Sequence, residues 1–155
     1  LQSILMLLEA GVEINAKSRN GASLMHMAAE ASQSEIFCDL LLKRADVMAL
    51  NDFGATPLHY SAGSGHGHSV RTLVNLCAGV NLSDVISETP LHWAAFAGHQ
   101  STVRALVDLG AAVNAKSNAE WTPVHSAARA GRDHVLLALV ELKSMPDPRD
   151  KQGST

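Results

Sequence analysis

Eight histidines stand in a chain of 155 residues. Imidazole is the side chain best suited to proton transfer near neutral pH and to holding zinc. Four of them, His26, His59, His92 and His125, each follow a Ser or Thr by three residues. Two more form the run Gly65-His66-Gly67-His68. Two thiols, Cys38 and Cys77, would be nucleophiles if a base lay beside them. Zinc would need several imidazoles within about 2.0–2.1 Å of one ion.

Spacing argues against each of these chemistries. His26, His59, His92 and His125 recur every 33 residues. In a row of equivalent units, neighbouring copies would lie about one helix-packing distance apart, roughly 8–10 Å, and could not share an ion. His66 and His68, at i and i+2, do not share a helix face. His66 instead occupies the Gly-His position that His99 occupies one unit later. His68 and His134 fall near the starts of predicted helices, with no evident partner. Cys77 falls at a predicted helix C-terminus, where the dipole disfavours a thiolate. Cys38 falls on the solvent side, at the register of Arg71 and Arg104. No Gly-rich phosphate loop follows a strand, and no carboxylate pair has a useful spacing. The sequence therefore assigns no catalytic residue, no metal ligand and no cofactor.

The period that separates the histidines organises the whole chain. Thr56-Pro57-Leu58-His59 returns as Thr89-Pro90-Leu91-His92, as Thr122-Pro123-Val124-His125 and, degenerate, as Ser23-Leu24-Met25-His26. Inside each unit Phe37, Val70, Val103 and Leu136 correspond, as do Leu40-Leu41, Leu73-Val74, Leu106-Val107 and Leu139-Val140. Met48, Asn81, Asn114 and Asp147 share a later register. Ile4, Leu7-Leu8, Gly11 and Ile14-Asn15 fit a unit lacking its first half, and residues 150–155 match the turn that opens another. The expected division is a partial unit 1–17, units 18–50, 51–83, 84–116 and 117–149, and the start of a further one at 150–155, in a single array excerpted from a longer chain.

One unit reads directly as physics. Thr is a good N-cap, because its hydroxyl accepts from an orphan helix N–H. Pro follows at the first helical position, where its missing N–H costs nothing. A short helix is predicted over Pro90–Ala97, ended by Gly98, and a second over about Ser101–Leu109, ended by Gly110. Helices this short are not stable alone. Stacking buries the Ala94-Ala95 face and the Leu106-Val107 face, so nearest-neighbour interfaces hold the array.

The units resemble the ankyrin repeat, on "TPLHYSA", "TPLHWAAFAGH" and "TPVHSAARAG", with "GVEINA" and "GAAVNA" closing their units. The resemblance covers essentially the whole chain. It implies an all-α solenoid of stacked helix-turn-helix units with β-hairpin-like connecting turns. It implies structural roles for Thr56, His59, Thr89, His92, Thr122 and His125, each His hydrogen-bonding its Thr and the adjoining turn, with His26 weaker because Ser23 replaces Thr. It implies a scaffold that binds a partner protein or peptide through a concave groove, or a regulatory or targeting module of a larger enzyme, channel or secreted effector. Leu7 with Glu13-Ile14-Asn15 also resembles the context in which ankyrin-type Asn residues are hydroxylated; the alternative is that Asn15 only holds its turn.

Departures from the shared pattern carry expectations of their own. Arg44, Cys77 and Lys143 replace Gly at the helix-ending position, where a left-handed residue with a side chain costs roughly 1 kcal/mol. Gly79 is expected to take over part of the turn after Cys77. Asp39 stands where Ala105 and Ala138 stand, which predicts a half-buried carboxylate. "SMPDPRD" replaces the usual closing turn and predicts a different path there.

Composition bounds the partners. Hydrophobic residues make up 46% but aromatics only 4%, and the net charge is −3. A mildly acidic chain without a Lys/Arg run is repelled by phosphate, so no nucleic-acid partner is expected. No apolar stretch approaches a membrane span. The apolar start "LQSILMLLEAG" has no basic region before it and no cleavage site. Two cysteines are too few for a disulfide framework, which favours an intracellular, cytoplasmic setting. Partner contacts should fall on residues the repeat leaves free, at turn tips and on the open side of the first helices. The candidates are Arg19, Asp52, Phe53, Val85, Ile86, Phe96, Trp121 and Arg129, with the two arginines flanking an apolar centre. Tyr60 and Trp93, directly after their histidines, are read as core.

Overall fold

The computed structural model describes Met6, Gly11 and residues 13–144. The expectations for Ile4, Leu7-Leu8, the closing turn at Asp147 and residues 150–155 lie outside them. The helices come in pairs, one pair per unit. They are α1 (Leu24–Glu30) with α2 (Phe37–Leu42), α3 (Pro57–Gly63) with α4 (Gly67–Asn75), α5 (Pro90–Ala97) with α6 (Gln100–Asp108), and α7 (Pro123–Arg129) with α8 (Asp133–Ser144). Each first helix packs on the first helices of adjoining units, and second helices α4, α6 and α8 pack in a parallel row. Among the described residues the fold is all-α, without strands. Leu58, Leu73, Leu91, Leu106 and Leu139 are fully buried between units. Each contributes about 1.5–3 kcal/mol relative to exposure.

The connecting turns are tight closed loops. The N–H of each unit's first residue donates to a carbonyl four residues on: Ser18 to Ala22 at 2.9 Å, Asn51 to Ala55 at 3.1 Å, Asp84 to Glu88 at 2.9 Å and Ser117 to Trp121 at 2.8 Å. One backbone hydrogen bond joins each tip to the next: Asp52 N–H to the Asn20 carbonyl, Val85 N–H to Phe53, and Asn118 N–H to Ile86. These links set the turns side by side and hold their side chains on one edge of the stack.

Every described residue with positive φ falls on one of three registers: Gly11, Arg44, Cys77 and Gly110; Gly21, Gly54, Ser87 and Glu120; Ser32, Gly65, Gly98 and Gly131. Arg44 (φ 66°) and Cys77 (φ 67°) thus adopt the left-handed geometry with side chains attached. Gly79 takes no part in it, since Cys77 makes the turn itself. Lys143 lies inside α8, which continues to Ser144. Nothing in Leu142-Lys143 stops a helix, because both residues propagate one well. Asp39 is exposed, contrary to expectation. Ala138 is buried in the last described unit, so that register faces the unit before it. Asp39 puts a charged group at that register, and a carboxylate keeps the hydration that burial without a partner would forfeit.

Candidate functional site

The histidine ladder is the frame beneath the site. Thr56 N–H donates to His59 Nδ1 at 3.0 Å, and the Thr56 hydroxyl lies 2.8 Å from the same nitrogen, within a capping box at the start of α3. Thr89 with His92 repeats this on α5. The far nitrogen reaches the next unit: Nε2 of His26, His59 and His92 lies 2.9, 3.1 and 3.0 Å from the carbonyls of Ala55, Glu88 and Trp121. A carbonyl only accepts, so each ring carries its proton on Nε2 and keeps Nδ1 as an acceptor. His26 makes the same set through Ser23, because a Ser hydroxyl serves as well as a Thr one here. His125 makes the Thr122 contacts but is exposed. Its counterpart position on the next turn, Ser154, lies outside the described residues. Burial holds His59 down to about 4, against an ordinary 6.5, and lowers His26 and His92 in the same direction.

A second set of bonds, not foreseen from sequence, ties the outer edge. His66, His99 and His134 each place Nε2 within 2.9–3.0 Å of a carbonyl near the end of the preceding first helix, at Glu30, Gly63 and Gly98. Arg132 Nε donates to the Phe96 carbonyl. His134 therefore does have a partner, 36 residues back, beyond the reach of a search within one unit. Among the described residues no three His, Cys, Asp or Glu side chains gather as a metal site. Asn15 donates to the Arg44 carbonyl at 3.4 Å and remains exposed.

The open site is a cleft of about 640 Å³ between the turn tips and first helices of the second and third described units. Its floor is Tyr60 and Trp93, ring centroids 6.0 Å apart and tilted by 37°. His26 meets Tyr60 edge-on and His59 meets Trp93 edge-on, so the buried ladder supports the floor from behind. Each floor ring is pinned at its polar end to the residue that opens the unit. Asn51 Nδ2 donates to the Tyr60 hydroxyl at 3.0 Å, and Trp93 Nε1 donates to Asp84 Oδ2 at 3.1 Å. The same two residues shape the turns. Asn51 Oδ1 accepts from the N–H groups of Phe53 and Ala55, and Asp84 Oδ1 from those of Ile86 and Glu88. Gly63 lies under Trp93; a Cβ there would meet the indole at 3.2 Å.

Phe53, Val85, Ile86 and Phe96 line this cleft and are 51–62% exposed. Asp52 and Arg19 stand on exposed turn tips outside it. Trp121 is half-buried, its carbonyl taken by His92, and Arg129 lies over the Trp121 ring, 5.1 Å from its centroid. That pair is a separate feature beside the cleft. Tyr60 and Trp93 are half-buried: Tyr60 packs against the core from within, and each brings its polar tip out to the turn and a ring surface to the cleft. Asn51 and Asp84 were not foreseen; a turn-forming Asn, Asp or Ser at every unit's first position was the available signal. Three carboxylates, Glu30, Asp84 and Glu88, line the cleft, and no Lys or Arg does. Burial first, and the Asp84 charge second, raise the Glu88 carboxyl above its ordinary range, against a downward pull from Arg129.

A family model described as ankyrin repeats (3 copies) matches residues 1–84 and again residues 75–151. The chain belongs to the ankyrin-repeat family. Ankyrin repeats generally mediate protein–protein interaction, and the ladder, capping boxes and paired helices above are this array's scaffold. The array is also similar to the tyrosine-protein kinase Shark of Drosophila melanogaster, 36% identical over 61 residues. That stretch is 39% of this chain and 6% of the kinase, so the array spans a small part of that relative's length. Among the described residues no helix is long and apolar enough to cross a membrane.

Proposed function

We propose that this ankyrin array is a non-catalytic interaction module that seats an extended peptide, or a protruding segment of a partner protein, in the Tyr60–Trp93 cleft. One observation carries the reading: four large apolar side chains stand exposed around an aromatic floor that the scaffold positions but does not cover. Apolar groups held open to water in one place favour binding. Arg19, Asp52, Trp121 and Arg129, on neighbouring tips and on α7, would extend the contact as a polar rim. The acidic lining disfavours nucleic acid. The test is selection of a displayed random-peptide library on the 155-residue chain, repeated on Phe53→Ala/Phe96→Ala. Enrichment on the native cleft that disappears on the variant is expected. Peptides that enrich equally on both would move the binding surface elsewhere.

A second reading is that the array serves as a regulatory or targeting module within a larger protein, its own cleft holding the partner. The similarity to a short stretch of a much longer kinase favours it. An antibody to the array, used on extract of the native cell, would then detect a band well above 16.4 kDa. A band at that mass alone would remove this reading.

A further inference from the structure

The charge of the cleft, together with its aromatic floor, names the chemistry of what it takes, provided the cleft is the binding surface proposed above. Glu30, Asp84 and Glu88 bring three carboxylates to a lining that has no cation. The Asp84 oxygens are engaged by the turn and by the Trp93 indole, yet the charge remains. A carboxylate accepting the indole N–H pushes electron density into the ring and strengthens its face as a cation acceptor. The Glu88 carboxylate accepts no hydrogen bond from the described residues and is half-buried beside Asp84. The nearby guanidinium of Arg129 is stacked on Trp121. A half-buried carboxylate without a donor is destabilised, and a cation arriving from a partner would relieve it. The Tyr60 hydroxyl accepts from Asn51, which leaves its own O–H for an incoming carbonyl.

We propose that the cleft recognises a lysine or arginine side chain carried on an extended segment and flanked by large apolar residues. The cation lies over the Tyr60–Trp93 floor with its head at Glu88, and the apolar neighbours pack on Phe53, Val85 and Phe96. Unsupported apolar peptides would leave the acidic lining desolvated, and an isolated basic peptide would leave the apolar walls wet.

The experiment uses the same displayed library, selected in parallel on the native chain, on Glu88→Gln and on Phe96→Ala. Glu88→Gln keeps the backbone carbonyl that His59 needs and removes a disfavoured charge, so its melting midpoint is checked and should not fall. Native-selected sequences should carry Lys or Arg beside Phe, Leu or Trp. One such synthetic peptide should bind about tenfold more weakly to Glu88→Gln. Replacing its cation with norleucine should weaken binding to the native chain by a similar factor, and the two changes together should add little more. Separate lysine and arginine versions of that peptide decide which cation is preferred. Enriched peptides without a cation, bound equally by native and Glu88→Gln chains but lost on Phe96→Ala, overturn this inference and leave the cleft reading standing. Binding indifferent to Phe96→Ala, or no enrichment at all, overturns both.

Discussion

His59 and Trp93 touch, their ring centroids 5.4 Å apart, yet they belong to regions with opposite logic. Both nitrogens of His59 are consumed inside the fold, by Thr56 in its own unit and by Glu88 in the next. Trp93 gives its N–H and part of its ring to the fold, and another side of the ring is left to the cleft. The ladder repeats at His26, His59 and His92 because each copy solves the same problem of joining a helix start to the neighbouring turn. The cleft does not repeat: the side chains of Phe53, Ile86 and Phe96 belong to two units only, and it is their backbones alone that take part in links between units. The comparison separates residues that build the stack from residues that the stack presents.

Breaking the ladder should have the largest effect. His59→Ala strands a buried Thr56 N–H, leaves the Glu88 carbonyl with the Asp84 N–H alone, and opens a void behind Trp93. Urea unfolding should show a loss of about 3–5 kcal/mol. A loss below 1 kcal/mol would mean that the ladder is not what joins the units.

Acid should attack the same region. The unfolded chain takes a proton on His59 near pH 6.5, while burial holds the folded ring to about 4. Stability is therefore complete above 6.5 and falls as pH drops through that window, by about 1.4 kcal/mol per pH unit for this ring alone. His26 and His92, lowered in the same direction, steepen the fall. Unfolding midpoints at pH 7.5, 6 and 5 check it, and a flat profile would contradict the neutral Nε2–H ladder.

Two substitutions sharpen the scaffold side by improving it. Ile36, Ser69, Thr102 and Val135 share a register, and the Thr102 hydroxyl is buried without a hydrogen-bond partner. Thr102→Val should gain about 1 kcal/mol in the same unfolding assay. Arg44→Gly relieves a left-handed residue and should raise the melting temperature, by up to about 1 kcal/mol in stability. An unchanged or lower midpoint would mean that the Arg44 side chain contributes something the backbone argument omits.

The ladder was legible in the sequence because a residue that recurs at a fixed period must occupy equivalent surroundings. The helix pairs followed from it, and the second helix of the third unit starts one residue earlier than read. The cleft was half legible. Phe53, Val85, Ile86 and Phe96 could be found as apolar residues that the period does not explain. Tyr60 and Trp93 could not be placed, because a side chain directly after a buried His can seal the core or floor a groove, and only the pin to Asn51 or Asp84 decides. The bonds of His66, His99 and His134 were hidden because each reaches back beyond its own unit. Asp39 was misplaced by carrying the burial of Ala105 and Ala138 over to a charged side chain, whose hydration is costly to give up.

The smallest expected effect tests the separation most directly. Urea unfolding of the Phe53→Ala/Phe96→Ala chain measures whether the cleft residues hold up the fold. If presentation and construction are divided as described, the unfolding free energy stays within about 0.5 kcal/mol of the native chain, as for surface changes away from structural features. A loss of about 2 kcal/mol or more would show that these side chains are part of the scaffold, and the cleft would lose its claim to be a surface kept free for a partner.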